Sequence, residues 1–329
     1  LQGLTLLNQD WSNLTSTRLE IIDFLKSLQI SDDVNPNLGG LLNDHDGTLD
    51  TIDLFEVNMH STYYGYKALE VFDYQNLLDI DDLHFFMEQL YHPEEDYFEV
   101  SIFRYYSEHL NLPTTALALE LANLSNFHTY SFQETLDFLL DNRNEWGIWD
   151  STTDRKGGFE LIDTFQVIRS LKNLDLISQF SLGQIDEMVQ GLLRFFHHNS
   201  FSLISKDLTQ MSLIHSIVKS FKEYDRIADF DLNGMYKLIR NAYFQHEEMN
   251  HYYFYSFTGT TEHLRSTPID YYSSCTHTTS EQIGLRFSHQ STFEALESLK
   301  LLYKLDDFET LYNLEDILNK VLQCQFLEQ

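Results

Sequence analysis

Apolar residues recur at intervals of three and four through most of this chain, the spacing of helices with one buried face. The clearest stretches are Thr15–Leu28, His60–Phe72, Asp81–Tyr91, Tyr97–Leu110, Thr115–Leu124 and Ser131–Leu140. Six more follow: Ile162–Leu174, Leu182–Phe196, Leu208–Tyr224, Leu232–Phe244, Thr292–Leu305 and Leu314–Leu322. The pattern predicts about twelve helices and no hairpin. Three longer segments, Ser31–Met59, Asn142–Leu161 and Gln245–Gln290, break the periodicity and read as loops. Loops of that length are commonly functional. No Pro-, Gly- or Ser-rich linker divides the chain, so 1–329 reads as one domain.

The helical stretches repeat one another. Ser61-Thr62-Tyr63 through Ala68-Leu69 matches Asp163-Thr164-Phe165 through Ser170-Leu171 and Ser291-Thr292-Phe293 through Ser298-Leu299. A looser copy runs Met211 to Phe221. Each opens on a residue able to cap a helix, then Thr, then an aromatic, and later places a small residue before Leu. Ser or Asp at the start would satisfy the orphan N–H groups of the first turn. The small residue would let a neighbouring helix approach closely. These units are apolar over much of their circumference and read as inner helices. Leu182–Phe196 and Leu232–Phe244 read as an outer layer. A pair of helices cannot bury such a face alone, whereas a stack of pairs can, as a solenoid or a closed ring.

Composition narrows the choice. Only 4 prolines and 13 glycines occur in 329 residues, which favours helices joined by polar loops. The 25 Phe and 19 Tyr exceed what a plain helical scaffold needs and suggest a groove or cavity lined by rings. A net charge of −30 repels phosphate backbones and anionic bilayers, so nucleic acid is not an expected partner. No stretch of 18 apolar residues provides a membrane span. Two cysteines, Cys275 and Cys324, make no disulfide framework. Leu1–Asp10 lacks a basic n-region and an apolar core, so it does not read as a signal peptide. A start on Leu leaves room for a leader already removed. A soluble, cytoplasmic protein is the favoured expectation.

At Trp146-Gly147-Ile148-Trp149, followed by Gly157-Gly158-Phe159 and Asp163-Thr164-Phe165, the chain resembles the repeat of the terpenoid cyclase and protein prenyltransferase β-subunit superfamily. Asn37-Leu38-Gly39-Gly40 with Ser61-Thr62-Tyr63 is a second, weaker match. The resemblance covers Asn37 to Leu322. It implies an all-α fold, an (α/α)6 toroid of inner and outer helices, with an aromatic-lined central cavity for an apolar, isoprenoid-like ligand. Tyr63, Trp146, Trp149, Phe165, Tyr253, Tyr255 and Tyr271 are the candidate ligand-binding residues. Protein prenyltransferases hold zinc with an Asp, a Cys two residues on and a distant His. Here Phe165 stands where the Cys is expected after Asp163, and Ser273 takes the His place in Asp270–Cys275. No metal site is therefore expected, and a cofactor enters only as magnesium if the chemistry uses a diphosphate.

Candidate catalytic groups are carboxylates. Asp79-Ile80-Asp81-Asp82 resembles the Asp-x-Asp-Asp motif whose middle residue, here Asp81, protonates an alkene in class II terpenoid cyclases. It equally suits a helix start favoured by the macrodipole. Asp46 and Asp150 crowd two loops before inner helices, and Asp163 begins one. Paired carboxylates with Trp146 and Trp149 as platforms would suit a carbohydrate-active (α/α) hydrolase or lyase. His246-Glu247-Glu248-Met249-Asn250-His251 resembles a zinc helix motif, but its second His falls at i+5 rather than i+4. Three readings stay open: an enzyme or binder of isoprenoid-like ligands, a non-catalytic scaffold for protein or peptide recognition, and a carbohydrate-active enzyme.

Overall fold

The computed structural model describes residues 15–42, 57–102, 111–150, 159–194, 196–197, 200–201, 210–229, 231–246, 251–257, 285–287, 289–317 and 319. It falls into two compact units. The first comprises the described residues between Asp10 and Thr153 together with Gln166–Ser181. The second comprises those between Asp154 and Phe165 and those from Leu182 onward. The division passes through one helix.

The first unit holds α1 (Thr15–Ser27), α2 (Met59–Val71), α3 (Ile80–Leu90), α4 (Leu112–Ser125), α5 (Phe132–Asp141) and the second half of α6 (Phe159–Asn173). The antiparallel hairpin β1 (Tyr91–His92) and β2 (Tyr97–Phe98) follows α3. Helix α4 is buried around its circumference and opens with Pro113 in its first turn, where a missing N–H costs nothing. Ile22, Leu41, Met59, Leu69, Phe86, Phe98, Leu117 and Leu121 belong to one core cluster. Helices α3 and α5 bury one face each.

The second unit holds the start of α6, then α7 (Leu182–Leu193), α8 (Gln210–Glu223), α9 (Leu232–Asn241), α10 (His289–Leu301) and α11 (Leu305–Glu309). The hairpin β3 (Phe196–His197) and β4 (Ser200–Phe201) follows α7. After α9 comes a three-stranded antiparallel sheet of β5 (Tyr243–His246), β6 (His251–Phe257) and β7 (Leu285–Phe287), with β6 in the centre.

The alternation of buried and one-faced helices agrees with the repeat. Four expectations need correction. Hairpins occur although none was predicted, because strands of two residues are too short to show period two. In the first, Pro93 to Asp96 form the turn, with Asp96 left-handed at φ 58 and its carboxylate accepting from the Tyr91 hydroxyl at 2.8 Å. Tyr97–Leu110 is not one helix, since Tyr97 and Phe98 are extended and residues 99–102 are irregular. The aromatic run at Tyr252–Phe257 lies in the central strand β6 rather than a loop, as the β-propensity of Tyr and Phe allows. Finally, the expected capping residues lie inside their helices. Asn58 is the N-cap of α2, and Ser61 completes a capping box: Asn58 Oδ1 accepts from Ser61 N at 2.9 Å and Ser61 Oγ from Asn58 N at 3.1 Å. Asp163 and Ser291 likewise follow helix starts at Phe159 and His289.

The Gly39-Gly40 segment shows why its residue types matter. Gly39 is left-handed at φ +87, and a Cβ there would stand 1.8 Å from the Asp82 carbonyl oxygen in the first turn of α3. Thr62 and Thr115, at matching places in α2 and α4, use their hydroxyls to accept from Leu41 N and Phe98 N, both at 3.0 Å. The loop and the hairpin are thereby tied to buried helices.

Candidate functional site

The five buried helices α2, α4, α6, α8 and α10 end alike. A left-handed residue follows each: Asp73, Asn126, Asp175, Asp225 or Tyr303. The next N–H then returns to a carbonyl five residues back. These bonds are Tyr74 to Leu69 at 3.0 Å, Phe127 to Ala122 at 2.9 Å, and Leu176 to Leu171, Arg226 to Phe221 and Lys304 to Leu299 at 2.8 Å. This is the Schellman closure, and Asp and Asn tolerate its left-handed residue better than most side chains.

The closures set a common register. Two residues before each receiving carbonyl stands a charged side chain: Lys67, Glu120, Arg169, Lys219 and Glu297. Four residues earlier stand Tyr63, Ala116, Phe165, His215 and Phe293. Residues four apart share a helix face. Each buried helix except α4 therefore carries a ring and a charge together, one turn apart.

In the first unit the group centres on Arg169, whose guanidinium carbon lies 5.2 Å from the Tyr63 ring centroid and 5.5 Å from that of Tyr64. Nη1 donates to the Tyr64 hydroxyl at 3.2 Å. Glu120, 2% exposed, is the one charged residue of α4. Its Oε1 accepts from the Tyr63 hydroxyl and from Asn173 Nδ2, both at 2.8 Å, and the Lys67 ammonium lies 3.9 Å away. A carboxylate taken from water needs such partners, because without them burial costs several kcal/mol. Burial pushes the Tyr63 phenol well above its ordinary range, Arg169 opposes this, and Glu120 adds to it. His60 shares a 3.1 Å hydrogen bond with Thr114 Oγ1. Desolvation, with the Arg169 charge behind it, lowers its imidazole to about 4, so it is neutral at pH 7.

In the second unit Glu297 is the centre. His215 Nε2–H donates to its Oε2 at 2.6 Å, and Lys219 Nζ donates to its Oε1 at 2.9 Å. Burial pushes the Glu297 carboxyl up, but the bonds and charges of His215 and Lys219 outweigh it and hold the group at about 2. Phe165 meets the His215 ring edge-on at 5.9 Å, Phe293 tilts against it at 5.9 Å, and the Lys219 ammonium lies 5.8 Å from the Phe165 centroid. Each unit thus sets a basic group beside aromatic rings, with a carboxylate in the same cluster.

The residues singled out from the sequence are dispersed. Tyr63 and Phe165 belong to these two groups. Asp163 lies on α6 and is 7% exposed. Asp81 is exposed in the first turn of α3, where Asp79 caps the helix by accepting from Asp81 N at 3.1 Å and Asp82 N at 3.2 Å. That is the geometry of a helix start. Asp150 follows the bridge between Arg143 and Trp149 and is partly exposed. Trp149 is 0% exposed, with its indole N–H donating to the Leu139 carbonyl at 2.8 Å, whereas Trp146 is 46% exposed on the turn held by Asn144. Tyr253 and Tyr255 pair through their backbones with Phe244 and Phe287. His246 and His251 are backbone partners in the β5–β6 register. Asp46, Tyr271, Ser273, Cys275 and Cys324 lie outside the described residues.

Sequence reading missed Glu120, Arg169, His215, Lys219 and Glu297. Their signals were present. A single carboxylate interrupts the apolar run of α4, and a charge precedes the small residue in four of the aligned repeats.

No family model matches the chain, and no curated protein matches it. Among solved structures it is similar to Candida albicans protein geranylgeranyltransferase-I complexed with GGPP, with a TM-score of 0.62 at 15% sequence identity, over 92% of this chain and 81% of that one. No helix among the described residues is long and apolar enough to cross a membrane. A likeness at that identity establishes the fold, and the chain is of the all-α, prenyltransferase-like (α/α) toroid class, as expected.

Proposed function

We propose that this prenyltransferase-like protein holds an apolar, isoprenoid-like ligand against the rings that its buried helices carry. The supporting observation is the shared register of Tyr63, Phe165, His215 and Phe293, each one turn before a charged residue. In the second unit Phe165 and Phe293 meet the His215 ring with the Lys219 ammonium beside them, and aromatic faces bind hydrocarbon chains and stabilise positive charge. The structurally similar geranylgeranyltransferase-I was solved with GGPP, which supports the choice of ligand class. The test is equilibrium dialysis of the purified chain with labelled geranylgeranyl and farnesyl diphosphate, with and without magnesium. Saturable binding that weakens at least several-fold in Phe165→Ala is expected. Absence of saturable binding from folded protein under all conditions would defeat the reading.

A second reading, a non-catalytic scaffold for protein or peptide recognition, draws on the compensation of the buried Glu120 and half-buried Glu297 carboxylates. Glu297 is engaged by His215 and Lys219, and Glu120 by Tyr63, Asn173 and Lys67. Absence of diphosphate binding by the folded protein would favour it. The carbohydrate-active reading is weakened because the indole of Trp149, one of its two platforms, is in the core.

A further inference from the structure

The prenyltransferase-like fold implies a zinc ion, and the residues at the corresponding helix can be tested for fit. Zinc in protein sites takes thiolate, imidazole and carboxylate ligands in a closed set or an open set of three. Two positions after Asp163, where a thiolate would stand, the chain places Phe165. That side chain is buried, with its ring edge-on to His215 and beside the Lys219 ammonium. Phenyl cannot ligate a metal, and the adjacent imidazole is committed to Glu297 through Nε2. Among the described residues no three His, Cys, Asp or Glu side chains converge to hold a metal. The described residues do not fit zinc.

We infer that this chain is a metal-independent member of the fold, in which Lys219, held by Glu297 beside His215 and Phe165, supplies the positive charge beside the aromatic rings. The cluster is self-consistent without a metal. Two nitrogen donors meet the two carboxylate oxygens at 2.6 and 2.9 Å, and the carboxyl stays ionised. A divalent ion brought here would compete with the ammonium for Glu297, and the described residues offer it no thiolate in return. The inference rests on the proposed function only for what the rings hold, and its metal independence can be judged separately.

The experiment uses the whole chain. Zinc is added as the chloride, excess is removed by dialysis, and bound metal is counted by mass spectrometry. Thermal unfolding and geranylgeranyl diphosphate binding are then compared with and without 1,10-phenanthroline. We expect well under one zinc per chain, an unchanged Tm and unchanged affinity. One zinc retained per chain, a Tm that falls on chelation, or diphosphate binding that requires zinc would each overturn the inference, since a metal bound only to the native state raises apparent stability. Failure of diphosphate binding with no zinc retained would remove the proposed function and leave metal independence supported. Glu297→Gln provides a second reading: its Tm should fall equally with and without zinc, and rescue by zinc would overturn the inference.

Discussion

The hydroxyl of Tyr63 donates a 2.8 Å hydrogen bond to the buried carboxylate of Glu120, linking α2 to α4 across 57 residues of sequence. The same phenol ring lies under the Arg169 guanidinium. Tyr63 therefore holds a cation on its face and an anion at its tip. Tyr63→Phe keeps the ring and removes the donor, and should cost about 1–2 kcal/mol. Glu120→Ala leaves the donors without their acceptor and should cost about 3 kcal/mol or more. Urea midpoints of the single and double variants check both values, and additive losses would show that the two groups are not coupled.

Acid should destabilise the protein in two steps. His60 has a folded pKa of about 4 against an ordinary 6.5, so the unfolded chain binds more protons between those values. Its contribution is complete above pH 6.5 and is lost as pH falls to about 4. Glu297 is held at about 2 against an ordinary 4.5, so its contribution is present above pH 4.5 and lost as pH falls through 2. Each step should be on the order of 2 kcal/mol. His60→Gln should flatten the stability profile between pH 6.5 and 4 while leaving the lower step, as read by denaturant unfolding at stepped pH.

Gly39→Ala should be among the most damaging small substitutions. It combines a left-handed backbone with a methyl 1.8 Å from the Asp82 carbonyl oxygen, which belongs to a helix and cannot easily yield. A loss of about 3 kcal/mol is expected, measured as a lowered thermal midpoint.

The two tryptophans of the Trp-Gly-x-Trp segment should behave oppositely. Trp149→Ala empties a core position and removes the donor to Leu139, at a cost of about 3–5 kcal/mol. Trp146→Ala, at an exposed site, should change stability by about 0.5 kcal/mol or less. Fluorescence should separate them too, with the emission of Trp149 to the blue of Trp146 in single-Trp variants.

Asp81→Ala should leave any ligand binding unchanged and shift stability by about 0.5 kcal/mol. Asp79→Ala removes the N-cap of α3 and should cost about 1 kcal/mol. A loss of ligand turnover in Asp81→Ala with its fold intact would restore that residue as a catalytic acid.

The helical class and most helix positions were legible because apolar spacing is a local property. The inner-helix repeat was legible too, from Thr62, Thr164 and Thr292 to the small residues before Leu69, Leu171 and Leu299. Helix starts were less so. Ser61 resembles an N-cap in sequence, but the competing Asn58 takes that place and leaves Ser61 to complete the box. The strand at Tyr252–Phe257 was missed because an aromatic run without alternation of polarity carries no period to read.

The amino-acid sequence by itself determined the all-α architecture and the identity of Phe165 two residues after Asp163, since each depends on residue identity and near-neighbour spacing. Tertiary structure alone decided which of two nearby tryptophans is core and which is surface, and which distant partner compensates each buried charge. Lys219 with Glu297, and Tyr63 with Glu120, are 78 and 57 residues apart. Their meeting depends on how helices pack, and the low dielectric of a packed interior is what turns such a meeting into a requirement.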